Sequence, residues 1–160
     1  MRTVETVLYK FNEHPRQDLL LIKHWDINVD YDWWDNVYDD AWDIGLKITG
    51  FDIDKRVCSG SFLWEAKDVA EKVIQEHGTE TGTYKAAQDF QAAYALLHLK
   101  YPYDDFEDEL EEAEADLKEN LCRAYLQILI DEYEYRTSEE QVKETLIAND
   151  YEFTIDGNIY

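Results

Sequence analysis

The chain has 160 residues and a formal net charge of −22, from 37 acidic and 15 basic residues. Hydrophobic residues make up 45% of it and aromatic residues 14%, which excludes a disordered acidic chain, because that much apolar mass supports a folded core. No apolar segment is long enough to span a membrane, and the first eleven residues lack the apolar core of a secretory signal. We therefore expect a cytoplasmic protein with a single α+β domain over residues 1–160.

Hydrophobic periodicity predicts a small antiparallel sheet, formed by hairpins, that packs with about six α-helices. A first strand is predicted at Thr3–Phe11, a helix at 16–25, and a second helix from Asp30 or Tyr31 to the residue before Gly45. The later predictions are a hairpin at 46–54 and 57–64, helices at 66–77, 83–99, 104–135 and 139–149, and a strand at 151–155 followed by a turn at Asp156-Gly157.

The negative charge is concentrated in two segments. Residues 26–43 carry a net charge of −7 and residues 104–120 a net charge of −9, out of −22 for the chain. A folded chain with such an imbalance repels itself, and this cost is commonly tolerated for solubility, for halophily or for a cationic partner. Halophily fits poorly, because halophilic acidity is spread over the whole surface. The local charge favours a basic partner.

The second predicted helix divides into an acidic half and an aromatic half, which consists of Trp34, Val37, Tyr38, Ala41, Trp42 and Ile44. Asp35, Asp39 and Asp43 are spaced i, i+4, i+8, which places successive carboxylates about 6 Å apart along the helix axis. Like charges at that spacing destabilise an isolated helix, and Asp is a poor helix former. Two interpretations stay open: a solvated helix face, or a rigid row of charge that imitates the phosphates of a nucleic-acid strand. The residues of the acidic half are Asp32, Asp35, Asp39, Asp40 and Asp43.

The helix predicted from about Asp104 carries the second acidic segment. Its apolar residues recur every three or four positions, and residues 125–130 (YLQILI) are almost all apolar, which predicts burial against the sheet. An ordinary solvated helix and a continuation of the first acidic face both stay open. The predicted core stripe is Phe106, Leu110, Ala113, Leu117, Leu121, Ala124 and Ile128. The candidate contact residues are Asp105, Asp108, Glu109, Glu111 and Glu112.

Signals for catalysis or for a cofactor are weak. The six glycines form no phosphate-binding loop, and the four histidines have no neighbours at metal-ligand spacing. Asp52-Ile53-Asp54 opens like a calcium loop, but Arg56 and Gly60 stand at positions that interrupt it. Cys58 and Cys122 form no CxxC motif and are expected to be reduced, packed thiols. We expect no enzyme, no metal, no cofactor and, because the basic residues are scattered, no direct nucleic-acid binding.

Three segments resemble a family of small acidic proteins, without an assigned activity, that bacteriophages and other mobile elements of gut-type bacteria carry. The segments are 26–54, 71–90 and 131–157, which together cover about half of the chain and include Trp33-Trp34 and Tyr133-Glu134-Tyr135. The helix at 16–25 departs from the more alanine- and lysine-rich helix of that family. No motif of the known antirestriction DNA mimics is present, and only the acidity is shared.

The phage-like context and the acidity together predict a counter-defence role. The leading hypothesis is an acidic nucleic-acid mimic that occupies the basic channel of a host defence nuclease, either a CRISPR effector or a restriction complex. The alternative is a non-mimic adaptor or antitoxin that binds through exposed aromatic side chains, and an enzyme with a carboxylate site comes third. The predicted partner is a basic protein in the cytoplasm of a bacterial host. Membrane binding is not expected, and the oligomeric state, a homodimer included, is left open.

Overall fold

Six α-helices and a two-stranded antiparallel sheet form an α+β fold in a computed structural model that describes residues 3–102 and 105–160. The predicted fold class is therefore confirmed. Asp104, where the fifth helix was expected to begin, lies outside the described residues. The elements are α1 (Gln17–Lys23), α2 (Asp35–Asp43), β1 (Leu46–Asp52), β2 (Val57–Phe62), α3 (Ala66–Glu76), α4 (Gly82–Lys100), α5 (Glu107–Thr137) and α6 (Glu139–Ala148).

The predicted central hairpin is confirmed as β1 and β2. The chain leaves α2 through Gly45, whose φ of +90° lies in the left-handed region that commonly ends a helix. The strands then pair antiparallel, with Leu46 opposite Phe62 and a bulge after Ile48. Leu46 and Ile48 are buried, so one side of the hairpin faces the hydrophobic core.

The strands predicted at the two ends of the chain are wrong. Residues 3–10 and 151–155 contribute only isolated bridges, in which Tyr9 and Phe153 exchange N–H to carbonyl hydrogen bonds of 2.9 and 2.8 Å. Phe11 begins a short 3-10 helix, Phe11–Glu13. The valines before Tyr9 are exposed, so their β-branched side chains have no strand to pack against. The predicted tight turn is present, with Gly157 at a φ of +88°.

The second helix begins later than predicted. Residues 31–34 form turns, and α2 starts only at Asp35. The Trp33 ring packs against the Tyr133 ring at a centroid distance of 5.7 Å, and the chain passes from one compact unit to another directly after Trp33. Asp32 therefore precedes the helix instead of lying on its acidic side.

The chain folds into two compact units, each with its own hydrophobic core. The described part of Met1–Trp33 and the segment Asp131–Tyr160 form one unit, and Trp34–Ile130 forms the other. The single domain expected from the sequence stays a prediction. The first core consists of Phe11, Leu20, Val142, Leu146 and Phe153. The second core includes Ala41, Ile44, Leu46, Val69, Val73, Ala87, Phe90, Leu121 and Tyr125.

α5 buries a stripe that differs from the predicted one. Leu117 and Leu121 are buried as predicted, but Ile128 is 46% exposed, so the prediction is wrong there. Because five of the six residues 125–130 (YLQILI) are apolar, spacing alone could not select the buried side there. The positions buried after Leu121 are Cys122, Tyr125, Leu126, Leu129 and Ile130.

The fold brings the two cysteines together as free thiols. Cys58 on β2 is half-buried and Cys122 on α5 is buried, which confirms the prediction of packed, unbridged thiols. The hydrogen bond with Cys122, together with burial, raises the pKa of Cys58 far above its usual range. The same interaction with Cys58 lowers the pKa of Cys122.

Candidate functional site

The acidic side of α2 faces away from the core of the Trp34–Ile130 unit. Ala41 and Ile44 are buried, which fixes the rotation of the helix about its axis. Asp35, Asp39 and Asp43 are consequently all exposed, with successive carboxylates about 6 Å apart along the axis. We call these three residues the aspartate row. The structure thus places the spacing predicted from the sequence on the surface.

No described residue neutralises the aspartate row. Within residues 3–102 and 105–160, none of its three carboxylates takes part in an ion pair or a side-chain hydrogen bond. α2 has no basic residue in its last turn, so Asp43 stands unopposed at the negative end of the helix dipole. A charge in that position destabilises a helix by about 0.3–1 kcal/mol. Residues that lower the stability of their own helix are typical of functional sites.

Asp40 lies on the same helix but is held by the protein itself. Its Oδ2 accepts a hydrogen bond from the Tyr125 hydroxyl at 2.9 Å and lies 3.3 Å from Nε2 of His77. The hydrogen bond to His77, with a smaller contribution from Tyr125, lowers the pKa of the Asp40 carboxyl below its ordinary value. Asp40 therefore ties α2 to α5 and to the residue that follows α3.

A chain of hydrogen bonds continues from His77 to the start of α4. His77 Nδ1 lies 2.5 Å from Thr83 Oγ1, the Thr83 hydroxyl donates to Thr81 at 3.2 Å, and Thr81 donates to the Gly78 carbonyl at 2.8 Å. Because the Thr83 hydroxyl donates to Thr81, it does not donate to His77 as an activated nucleophile would, and Thr83 is only 2% exposed. These hydrogen bonds therefore hold the loop between α3 and α4 in place beside a cavity of about 490 Å³. Sequence reasoning missed them, because Asp40 and His77 have no recognisable spacing.

Trp42 lies at the border between the two sides of α2. The sequence placed it in the packed aromatic half, but it is 56% exposed, so that prediction is wrong at this position. Trp34 and Tyr38 do pack, with their rings 5.9 and 6.1 Å from the ring of Phe51. An exposed tryptophan next to carboxylates offers apolar contact and a face for a cation.

Asp32 and the second acidic segment occupy other parts of the structure. Asp32 is exposed and precedes α2, which begins at Asp35, so it is not part of the row on that helix. In the second segment, Asp105 accepts a hydrogen bond from the Glu107 N–H at 3.0 Å and satisfies a free amide at the start of α5. All five residues predicted there are exposed: Asp105, Asp108, Glu109, Glu111 and Glu112.

The second acidic segment lies far along α5 from the contact with α2. Asp40 meets α5 at Tyr125, whereas Glu112 and Asp108 precede Tyr125 by about 20 to 26 Å along the helix axis. That separation exceeds two Debye lengths at physiological ionic strength, where one is about 8 Å. The structure therefore does not bring Asp40 together with this segment, and the two acidic surfaces are considered separately.

The carboxylates of the described residues do not converge on a metal site. Within 3–102 and 105–160, no three His, Cys, Asp or Glu side chains form a group that could hold a metal ion. In that part of the chain no helix has both the length and the hydrophobicity needed to cross a membrane. No family model matches the chain, and comparison with curated proteins and with solved structures finds no similar protein.

Proposed function

We propose that the protein inhibits a host defence nuclease, of the CRISPR-effector or restriction type, by placing the aspartate row in the basic channel that holds nucleic acid. The observation that carries the proposal is that Asp35, Asp39 and Asp43 are exposed, evenly spaced and unpaired within the described structure. Carboxylates about 6 Å apart on a packed helix form a fixed linear array of negative charge, as the phosphates of one strand do.

The chemistry of such a channel suits this array. Lysine and arginine side chains that bind phosphates form short, charge-assisted hydrogen bonds with carboxylates as well. A net charge of −22 attracts a basic protein at long range and speeds the encounter. The same charge repels nucleic acid, so the proposed inhibitor competes with DNA or RNA for the nuclease and does not bind either directly.

The resemblance to acidic phage proteins adds the biological setting. It supports a role against host defence, in the cytoplasm of an infected bacterium. The partner proposed on chemical grounds is a nuclease complex with a strongly basic, solvent-accessible channel, because such a surface offers several cations in line.

Replacing the aspartate row tests the proposal. We expect the triple variant D35N/D39N/D43N to lose inhibitory potency at least about tenfold, a loss of about 1.4 kcal/mol in binding free energy. Asparagine keeps the size of the side chain and removes the charge, so the helix surface changes little in shape. The measurement is cleavage of labelled DNA by each member of a panel of purified CRISPR effector nucleases and restriction complexes.

A matched control separates the row from the total charge. Glu139, Glu140 and Glu144 are exposed on α6, so E139Q/E140Q/E144Q removes the same number of charges elsewhere. We expect this control to inhibit as the wild type does. Equal loss in both variants would show that bulk charge is responsible. If no nuclease of the panel is inhibited by the wild type, the proposal is wrong.

A second candidate function is favoured by the exposure of Trp42. A non-mimic adaptor or antitoxin would bind its partner through one or two aromatic hot spots, and a 56% exposed tryptophan on α2 fits that description. Such binding depends little on salt, because apolar burial is not screened. A W42A variant that loses binding while D35N/D39N/D43N keeps it would favour the adaptor over the mimic.

A further inference from the structure

A groove between α4 and α5 combines an apolar floor with an acidic rim. Its volume is about 300 Å³, and Phe90, Ala93, Leu97 and Ala113 are among the residues that form the floor. It runs along α4 from Ala86 to Leu97, a distance of about 16 Å. Both helices contribute these residues within the Trp34–Ile130 unit, so the groove is a feature of one compact body.

Next to the groove, α4 shows an apolar stripe that no described residue covers. Ala92, Ala95, Leu96 and Leu99 follow the i, i+3, i+4, i+7 spacing of a packed helix face, yet all four are exposed. Leu96 is 63% exposed and Leu99 is 79% exposed. In other helices of the same unit, residues at such spacing are buried, as Val69 and Val73 of α3 show. A stripe of this kind is typical of a helix that packs against a partner.

The rim carries four carboxylates, one from α4 and three from α5. Asp89 comes from α4, and Glu109, Glu112 and Asp116 come from successive turns of α5. No lysine or arginine is among the described residues that line the groove. An occupant must therefore bring positive charge on both sides of its apolar surface.

We propose that this groove binds an amphipathic helix of a partner protein, with a leucine-like apolar stripe flanked by lysine or arginine. The apolar stripe would lie on Leu96 and the groove floor, and the basic side chains would reach the carboxylates of the rim. A groove formed by two helices and about three turns long matches the helix-in-groove mode of recognition. The proposal does not rest on the function assigned to the aspartate row, which lies outside the groove.

Charge decides against a second copy of this chain as the occupant. A two-fold interface brings the same patch of both subunits together. The rim would then face its own carboxylates, and like charges brought together in an interface are strongly unfavourable. Nucleic acid is excluded for the same reason, since its phosphates would face the rim.

The test uses two synthetic fluorescent peptides of about 18 residues, long enough to be helical when bound. In one, leucines occupy i, i+3, i+4 and i+7 and lysines flank them. The other is a scrambled peptide of identical composition without the stripe. Fluorescence anisotropy with the full chain should give a dissociation constant at least about tenfold lower for the amphipathic peptide. Equal affinity of both peptides would reduce the effect to attraction by the net charge and overturn the proposal.

Variants of the groove provide the second arm. L96A/L99A and E109Q/E112Q/D116N should each weaken binding of the amphipathic peptide at least about tenfold. The leucines and the rim carboxylates changed here are exposed, and circular dichroism verifies that the fold is kept. The control E139Q/E140Q/E144Q should bind as the wild type does. Unchanged binding by L96A/L99A would contradict the proposal.

Two further outcomes separate this inference from its rivals. If sedimentation shows a dimeric wild type and a monomeric L96A/L99A, a second copy occupies the groove and the basic partner is wrong. D35N/D39N/D43N should keep peptide binding even where it loses nuclease inhibition, so the groove and the aspartate row can fail independently. Loss of peptide binding in that variant would contradict the assignment of the site to the groove.

Discussion

The hydroxyl group of the buried Tyr125 links the core of the Trp34–Ile130 unit to the surface of α2. Tyr125 is fully buried, and its hydroxyl donates to the Asp40 carboxylate at 2.9 Å. Burial raises the pKa of Tyr125 far above its ordinary value, and the Asp40 charge raises it further, so the tyrosine stays protonated as a donor. Because the position of Asp40 on α2 is fixed in this way, the neighbouring aspartate row is fixed as well.

The Y125F variant should be less stable than the wild type by about 1–2 kcal/mol, because a partly buried hydrogen bond to a charged group is lost. The pKa of Asp40 is lowered in the fold, so its stabilising effect is present above the ordinary carboxyl pKa of about 4 and is lost as pH falls through the folded value. The difference between the two proteins should therefore be largest near neutral pH and shrink under acid. Urea unfolding between about pH 3 and pH 8 measures it. Equal stability at neutral pH would contradict this role of Tyr125.

For single residues, the sequence predicted which side chains are exposed better than it predicted which side chains form hydrogen bonds with each other. It identified Asp35, Asp39 and Asp43 correctly as one exposed row, because helical spacing alone determines which residues share a side. It could not separate Asp40 from that row, since the partners of Asp40 come from distant parts of the chain. The prediction that Trp42 is packed was wrong for a related reason. Helical periodicity shows on which side of the helix a residue lies, but not how far the neighbouring elements extend over that side.

The turn between α2 and β1 depends on one glycine. Gly45 has a φ of +90°, and a Cβ added there would lie 2.5 Å from Cε3 of the Trp64 ring. Gly45→Ala should therefore lower the free energy of unfolding by about 1–3 kcal/mol, through backbone strain and the displaced ring. Gly50→Ala is the matched control, because a Cβ at Gly50 meets nothing within 4 Å. Thermal unfolding should show a lower midpoint for the first variant only, and equal midpoints would contradict the role of Gly45.

Elements with strong local signals were predicted well, and those that depend on pairing were not. Two overlapping capping-box patterns, Thr137-x-x-Glu140 and Ser138-x-x-Gln141, predict the start of α6. In the structure Ser138 is the N-cap, and its side chain accepts from the Gln141 N–H. The terminal strands failed, because β-branched residues form a strand only where a neighbouring strand is available, and Tyr9 and Phe153 provide a single bridge. The late start of α2 follows from the packing of Trp33 on Tyr133, a contact that spacing does not reveal.

For the whole molecule, charge counts located two acidic segments, but only the structure showed that they differ in kind. The segment on α2 presents charge beside one exposed tryptophan, Trp42. The segment on α5 borders one side of an apolar groove, and the other side is formed by α4, which has no acidic pattern of its own. The distinction could not be predicted, because the α4–α5 groove exists only once two helices are packed side by side.

The association rate constant at two ionic strengths tests the central claim most directly. A purified nuclease that the wild-type protein inhibits is mixed with it at about 0.05 M and at about 0.5 M salt, and binding is followed by stopped-flow fluorescence. We predict that the rate constant falls at least about tenfold at the higher salt, and that D35N/D39N/D43N associates more slowly and with a weaker salt dependence. A rate constant that is the same at both salt concentrations, and the same for the wild type and the triple variant, would contradict the account.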